Sequence, residues 1–126
     1  MKQRRPSASR DSRSDNIVRG QVWYVDLGDP IGHEAGFDRP FLVISVDQFN
    51  DGGAGVILGV PITSKDHEVP LHVRFAPPEG GVTSESFLQP EGLRSISKER
   101  LRRAMGHVGS ETLDSVEDAI RILLGL

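Results

Sequence analysis

Residues Phe41 to Val46 read FLVISV, an apolar and partly β-branched run broken only by Ser45. A run of this length, bounded by Pro40 and Asp47, predicts a buried strand. Pro40 supports a strand start, because it cannot donate a ladder hydrogen bond and biases Arg39 towards extended backbone. Immediately before it lies a glycine-bearing polar stretch, Ile31 to Asp38, which carries His33 and Glu34. A charged loop is therefore tied directly to a core strand. Rigid elements that present polar groups at their mouths are a common basis for active sites, although a solvated hairpin loop has the same signature.

The other apolar runs are equally short. Gln21 to Leu27 alternates, with Trp23, Val25 and Leu27 on one face, which places Trp23 in the core. Gly28-Asp29-Pro30 and Asn50-Asp51-Gly52-Gly53 are turn chemistry. Val56 to Ile62 predicts another buried strand, with Gly59 and Pro61 marking a bulge or an edge. His72–Phe75, Ser86–Gln89, Leu93–Ile96 and Met105–Val108 predict four shorter strands, and Ser97 to Leu101 one capped helical turn. From Ser110 the period changes. Leu113, Val116, Ile120, Leu123 and Leu124 recur three and four apart, so the spacing predicts a helix with one apolar face and Ser110 as its N-cap. Many short strands with one terminal helix define a mainly β fold of the α+β kind: a small curled sheet or barrel with a covering helix.

The 126 residues suit one domain, and 37% hydrophobic with 26% charged residues is the balance of a soluble globular protein. No apolar run approaches the roughly 20 residues of a membrane span. The absence of cysteine excludes disulfides, thiolate metal sites and thiol nucleophiles. The four histidines, at 33, 67, 72 and 107, lack metal-ligand spacing, so neither a metal nor another cofactor is expected. Residues 1–16 are Arg/Ser-rich, without an apolar core, and read as a disordered basic tail rather than a secretory signal. The expected compartment is the cytoplasm. The tail carries a net charge of about +3, leaving about −6 on residues 17–126, a balance that argues against non-specific duplex DNA binding.

Read in order, RGQVWYVDL (19–27), GHEAGFDRPFLVIS (32–45), VPITS (60–64) and LRSISKERL (93–101) resemble the MazF/PemK family of toxin–antitoxin endoribonucleases. The resemblance runs from about Arg19 to the carboxyl end. It implies an SH3-like barrel, a homodimer, and metal-independent, sequence-selective cleavage of single-stranded RNA. It also implies control by a small antitoxin whose tail occupies the RNA groove. The family's catalytic Arg and Thr correspond to Arg39 and Thr63, and its loop acid to Glu34. His33, Ser64, Lys65 and Arg94 are the further candidates for RNA contact.

Metal-free RNA cleavage uses the neighbouring 2′-hydroxyl as nucleophile and leaves a 2′,3′-cyclic phosphate and a 5′-hydroxyl. It needs a proton acceptor, a cation for the phosphorane charge and a hydrogen-bond donor near the leaving oxygen. Arg39 suits the second role, because its planar fork matches phosphate oxygens. Thr63 supplies a hydroxyl, and Glu34 or His33 a base. Where relatives carry an acid, Gln, a hydrophobic residue and Arg or Lys, this chain has Glu91-Gly92-Leu93-Arg94, which removes one amide contact to RNA bases. Two other functions share the fold: a CcdB-like gyrase poison, and a catalytically silent barrel that binds RNA or antitoxin. The gyrase poisons rely on an aromatic residue near the carboxyl end, where this chain has Leu124-Gly125-Leu126.

Overall fold

The computed structural model describes residues 16–28 and 38–126. The basic tail up to residue 15, His33 and Glu34 lie outside the described residues. The strands are β1 (Gln21–Asp26), β2 (Asp38–Val43), β3 (Val56–Thr63), β4 (Val73–Phe75), β5 (Ser86–Leu88), β6 (Arg94–Ser97) and β7 (Leu101–His107). A single-turn helix α1 (Asp47–Asn50) follows β2, and helix α2 (Ser110–Leu124) follows β7. Three 3-10 turns, Glu79–Gly81, Pro90–Gly92 and Lys98–Arg100, complete the set. The strands form one antiparallel sheet in the order β4-β5-β3-β2-β1-β7, with β6 paired to the first half of β3.

The sheet curls, so its central strands are covered on both faces. Val22, Leu42, Val60 and Ile62 point into one apolar cluster, which α2 closes with Leu113, Val116 and Ile120. Trp23, Val25, Phe41, Val43 and Ile57 point into a second, closed by Ile17, Ile96 and Leu101. Burial on both faces explains why β2 reads as a continuous apolar run rather than an alternating one. Two register shifts between β1 and β7 supply part of the bend. Gly59 supplies a close contact: a Cβ there would stand 3.0 Å from Ile96 Cδ1 and 3.3 Å from Phe41 Cδ2.

Several boundaries differ from expectation for identifiable reasons. Strand β2 begins at Asp38 and stops at Val43, because the next residues build a buried polar knot. The Ser45 hydroxyl donates to Asn50 Oδ1, and Asn50 Nδ2 donates to Ile17 O (3.2 Å) and Ser45 O (3.0 Å). That knot folds the segment into α1 and leaves Val46 exposed. Pro61 stands inside the sheet, not at an edge, because it occupies the gap where the partner of β3 changes from β6 to β5. Its carbonyl accepts from Gln89 N (3.0 Å), and the nitrogen that lacks hydrogen faces the same side. Ser110 is the first residue of α2, whereas Gly109 is its N-cap and donates its N–H to Glu79 Oε2 (2.8 Å). The helical turn after Ser97 forms as expected, with the Ser97 hydroxyl accepting from Glu99 N (3.3 Å).

Candidate active site

Strands β2 and β3 pair in the register Phe41–Pro61, Leu42–Val60 and Val43–Gly59. Continuing that register two residues past its last pair sets Arg39 opposite Thr63. The ladder ends before reaching them, so the strands part there and open a cavity at the end of the curled sheet. The cavity holds about 360 Å³, and its lining includes Arg39, Pro40, Ile62, Thr63 and Ser64. Arg39 and Thr63, paired in the sequence only through the family resemblance, thus line one cavity. Thr63 Oγ1 accepts from Lys65 N (3.2 Å), which leaves the hydroxyl hydrogen available to donate to a ligand oxygen. Arg39 is half-buried, and its Nε is buried with no hydrogen-bond partner among the described residues. A guanidinium nitrogen without a protein partner there can bind an anion.

The other candidates are distributed differently. Ser64 lines the cavity, whereas Lys65 is exposed beside it and contributes its backbone N–H to Thr63. Arg94 is exposed on β6 opposite Gly59, four residues along β3 from Thr63, or about 13 Å at strand rise. It belongs to a surface outside the cavity. Val82, Thr83, Ser84, Ser86 and Met105 complete the lining and have no counterpart as site residues in the sequence reading. The usable signal was Gly80-Gly81, whose backbone lies against β7 and brings this segment over the cavity.

Electrostatics at the root of the β1–β2 connection are set by two facing carboxylates, Asp26 and Asp38, the last pair of that ladder. Asp26 accepts from Gly28 N (3.1 Å) and from Arg102 Nη2 (3.0 Å), and these bonds hold it below its ordinary 3.8, the Gly28 bond foremost. Asp38 is pushed above 3.8, first by loss of water and then by the hydrogen bond and charge of Asp26. The two act on stability with opposite signs. Asp26 stabilises the fold above its unfolded value and loses that contribution as pH falls through its lowered value. Asp38 stabilises it below 3.8 and loses that contribution as pH rises through its raised value. Ionised Asp38 therefore opposes folding at neutral pH. Asp38→Asn is expected to raise the urea midpoint near pH 7 and to change it less near pH 3, which equilibrium unfolding at both values measures.

The 90–92 turn explains the missing amide. A Cβ on Gly92 would stand 2.5 Å from Pro61 Cγ and 3.0 Å from Pro61 Cδ, so the proline ring occupies the space a side chain would need. The turn is clamped by His72, whose Nε2 lies 2.7 Å from Glu91 Oε2 while its side chain is 4% exposed. Gly92→Gln is expected to cost about 1–3 kcal/mol by overpacking. Adding Pro61→Ala should recover part of that loss, and thermal unfolding of the two single variants and the double variant measures the coupling. Among the described residues no group of three or more His, Asp or Glu side chains is arranged to hold a metal ion.

A small curled antiparallel sheet with one covering helix thus carries Arg39 and Thr63 in the lining of one cavity. Comparison with known proteins identifies the family. Residues 18–124 match the family described as the PemK-like, MazF-like toxin of type II toxin–antitoxin systems, and the chain belongs to that family. It is similar to endoribonuclease MazF9 of Mycobacterium tuberculosis, 37% identical over 113 residues that span 86% of this chain and 96% of the relative. It is also similar to endoribonuclease EndoA of Bacillus subtilis, 31% identical over 111 residues, 87% and 96% of the two chains. Among solved structures, a chain of the MazE–MazF crystal structure from Deinococcus radiodurans superposes with a TM-score of 0.72 at 26% identity, covering 88% of this chain and 97% of that one.

Proposed function

We propose that this protein is the endoribonuclease toxin of a type II toxin–antitoxin pair, cutting single-stranded messenger RNA in the cytoplasm and so stopping translation. The observation that carries this reading is the placement of Arg39 and Thr63, from different strands, in one cavity. The two named relatives are endoribonucleases and align over most of both chains, which supports the same activity here.

In the reaction, the ribose 2′-hydroxyl attacks the adjacent phosphorus and the bond from phosphorus to the 5′-oxygen breaks. Arg39 binds the non-bridging oxygens, where negative charge builds, through charge-assisted hydrogen bonds available before the reaction begins. Thr63 hydrogen-bonds a phosphate oxygen or the departing 5′-oxygen through its hydroxyl, and the 5′-oxygen takes its proton from water as it leaves. Glu34, five residues ahead of Arg39 in the chain, takes the 2′-hydroxyl proton, with His33 beside it as an RNA contact. Ser64 and Lys65 hold the phosphate chain next to the cut, and Arg94 binds RNA further out. No metal has a part in this scheme.

Two partners go with the reading. A cognate antitoxin binds this protein, which the family description and the MazE–MazF relative support, and its tail competes with RNA for the groove. A second copy of the chain packs on the exposed apolar end of α2, where Ile122, Leu123 and Leu124 are 67%, 44% and 57% accessible. The test is to incubate the purified protein with a mixed single-stranded RNA in excess EDTA. Discrete cuts at a recurring short sequence are expected, and intact RNA across all substrates would contradict the proposal.

A further inference from the structure

Strand β7 does not follow β1 residue for residue. Val25 pairs with Leu101 and Tyr24 with Arg103, so one step along β1 covers two along β7, and Arg102 is the extra residue. A bulge of this kind re-aims the side chain it carries. The Arg102 guanidinium reaches the end of the sheet, where Nη2 donates to Asp26 Oδ2 (3.0 Å) and Nη1 to Glu99 O (2.8 Å). Arg100, in the turn before β7, donates through Nη1 to Asp26 O (3.1 Å). Two arginines thus converge on the last residue of β1.

They converge on a rung that electrostatics opposes. Asp26 faces Asp38 across the β1–β2 ladder, and the rung before it is Val25–Arg39. Like charges directly opposite one another weaken a strand pair, and a ladder frays from its end. On the other side of β2 the pairing with β3 already stops at Phe41–Pro61, so β1 alone holds the backbone of Arg39. Of the other cations near the rung, Arg100 is engaged with a carbonyl, and Arg103 stacks over Tyr24, 5.0 Å from its ring centre. Among the described residues, Arg102 alone forms an ion pair with either carboxylate.

Resting on the endoribonuclease reading, we propose that Arg102 is a positioning residue for Arg39: aimed by the bulge, it offsets the repulsion between Asp26 and Asp38 and keeps the β1–β2 ladder closed through the Val25–Arg39 rung. It acts through the ladder and touches no reacting atom. A proton on Asp38 serves the same end, because a neutral carboxyl faces Asp26 without repulsion and can donate a hydrogen bond to it. Asp38 holds its proton above the ordinary value, so the need for Arg102 is greatest around neutral pH and fades as pH falls towards that raised value.

The test compares Arg102→Gln, Asp38→Asn and the double variant with the wild type at about pH 7 and about pH 5. One readout is the single-turnover rate on one defined RNA. The other is hydrogen exchange at the backbone amides of β2, which needs no substrate. At neutral pH, Arg102→Gln should cut about fivefold more slowly and exchange faster in β2. Asp38→Asn alone should cut at the wild-type rate. The double variant should return both readouts to within about twofold of wild type, a rescue that loss of a direct RNA contact by Arg102 would not show. At the acidic pH, the deficit of Arg102→Gln relative to wild type should shrink. The proposal is overturned by an Arg102→Gln variant that keeps wild-type rate or wild-type exchange, or by a double variant as slow as the single one. A protein that cuts no RNA but shows the exchange pattern and its rescue keeps the ladder device and loses the nuclease reading.

Discussion

Arg39→Ala is expected to lower the rate of RNA cleavage by at least about 10²–10³-fold, with the fold intact. Three features of the residue support this size. Its guanidinium is half-buried, where water screens charge poorly, so each bond to a developing phosphorane charge counts for more than at the surface. Its Nε has no partner among the described residues, so removing it orphans no protein group there. Its backbone is held in β2 opposite Val25 of β1, and so the truncated side chain leaves the strand where it was. Arg39→Lys should recover little, because an ammonium cannot offer two parallel donors to two phosphate oxygens. Single-turnover rates on one defined RNA, with circular dichroism to verify folding, provide the comparison. A variant that retains wild-type rate would remove Arg39 from the chemistry.

The largest effect on stability is expected from Gly81→Ala. Gly81 has φ of +74°, a backbone region that costs an L-residue roughly 1–2 kcal/mol. More seriously, the new Cβ would meet Met105 O at 2.1 Å and Met105 C at 2.6 Å. Both are backbone atoms of β7, which no rotamer change can clear. Either the turn lifts from the strand or β7 shifts, and both open the apolar cluster that contains Val82 and Val108. The combined cost is expected to exceed about 4 kcal/mol, a large part of the 5–15 kcal/mol that a domain of this size has in total. Thermal unfolding should show a midpoint lower by more than about 10 °C. Gly53→Ala is the matching control: a Cβ there meets nothing within 4 Å and its φ is not positive, so its midpoint should stay close to wild type.

The strand core and the terminal helix were legible because their signals are local. Period in the sequence tracks burial, and Trp23, Phe41, Leu42, Val60 and Val116 are all buried. The helix was legible from Leu113, Val116 and Ile120, all of which contribute to one apolar cluster. Its N-cap was not, because Gly109 is placed by its N–H bond to Glu79, thirty residues earlier in the chain. Long-range partners also decide the position of Pro61, whose tolerance inside the sheet depends on where β6 gives way to β5. At the site, Arg39 and Thr63 were legible as residue types in a recognisable order. Their meeting follows from the β2–β3 register, which the sequence does not state. The lining from Thr83, Ser84 and Met105 was hidden for a different reason: small hydroxyl residues and one methionine have no periodic signal, and only backbone packing at Gly81 and Gly106 assembles them.

The central claim is that an Arg39–Thr63 cavity drives attack by the substrate's own 2′-hydroxyl. Its most direct test is one RNA containing a single cleavage site, compared with the same RNA carrying a 2′-deoxy sugar on the 5′ side of the cut, both in excess EDTA. The first should be cut to a 2′,3′-cyclic phosphate and a 5′-hydroxyl, and the second should stay whole. Cleavage of the deoxy-substituted strand at the same bond, or products that end in a 5′-phosphate, would contradict the account.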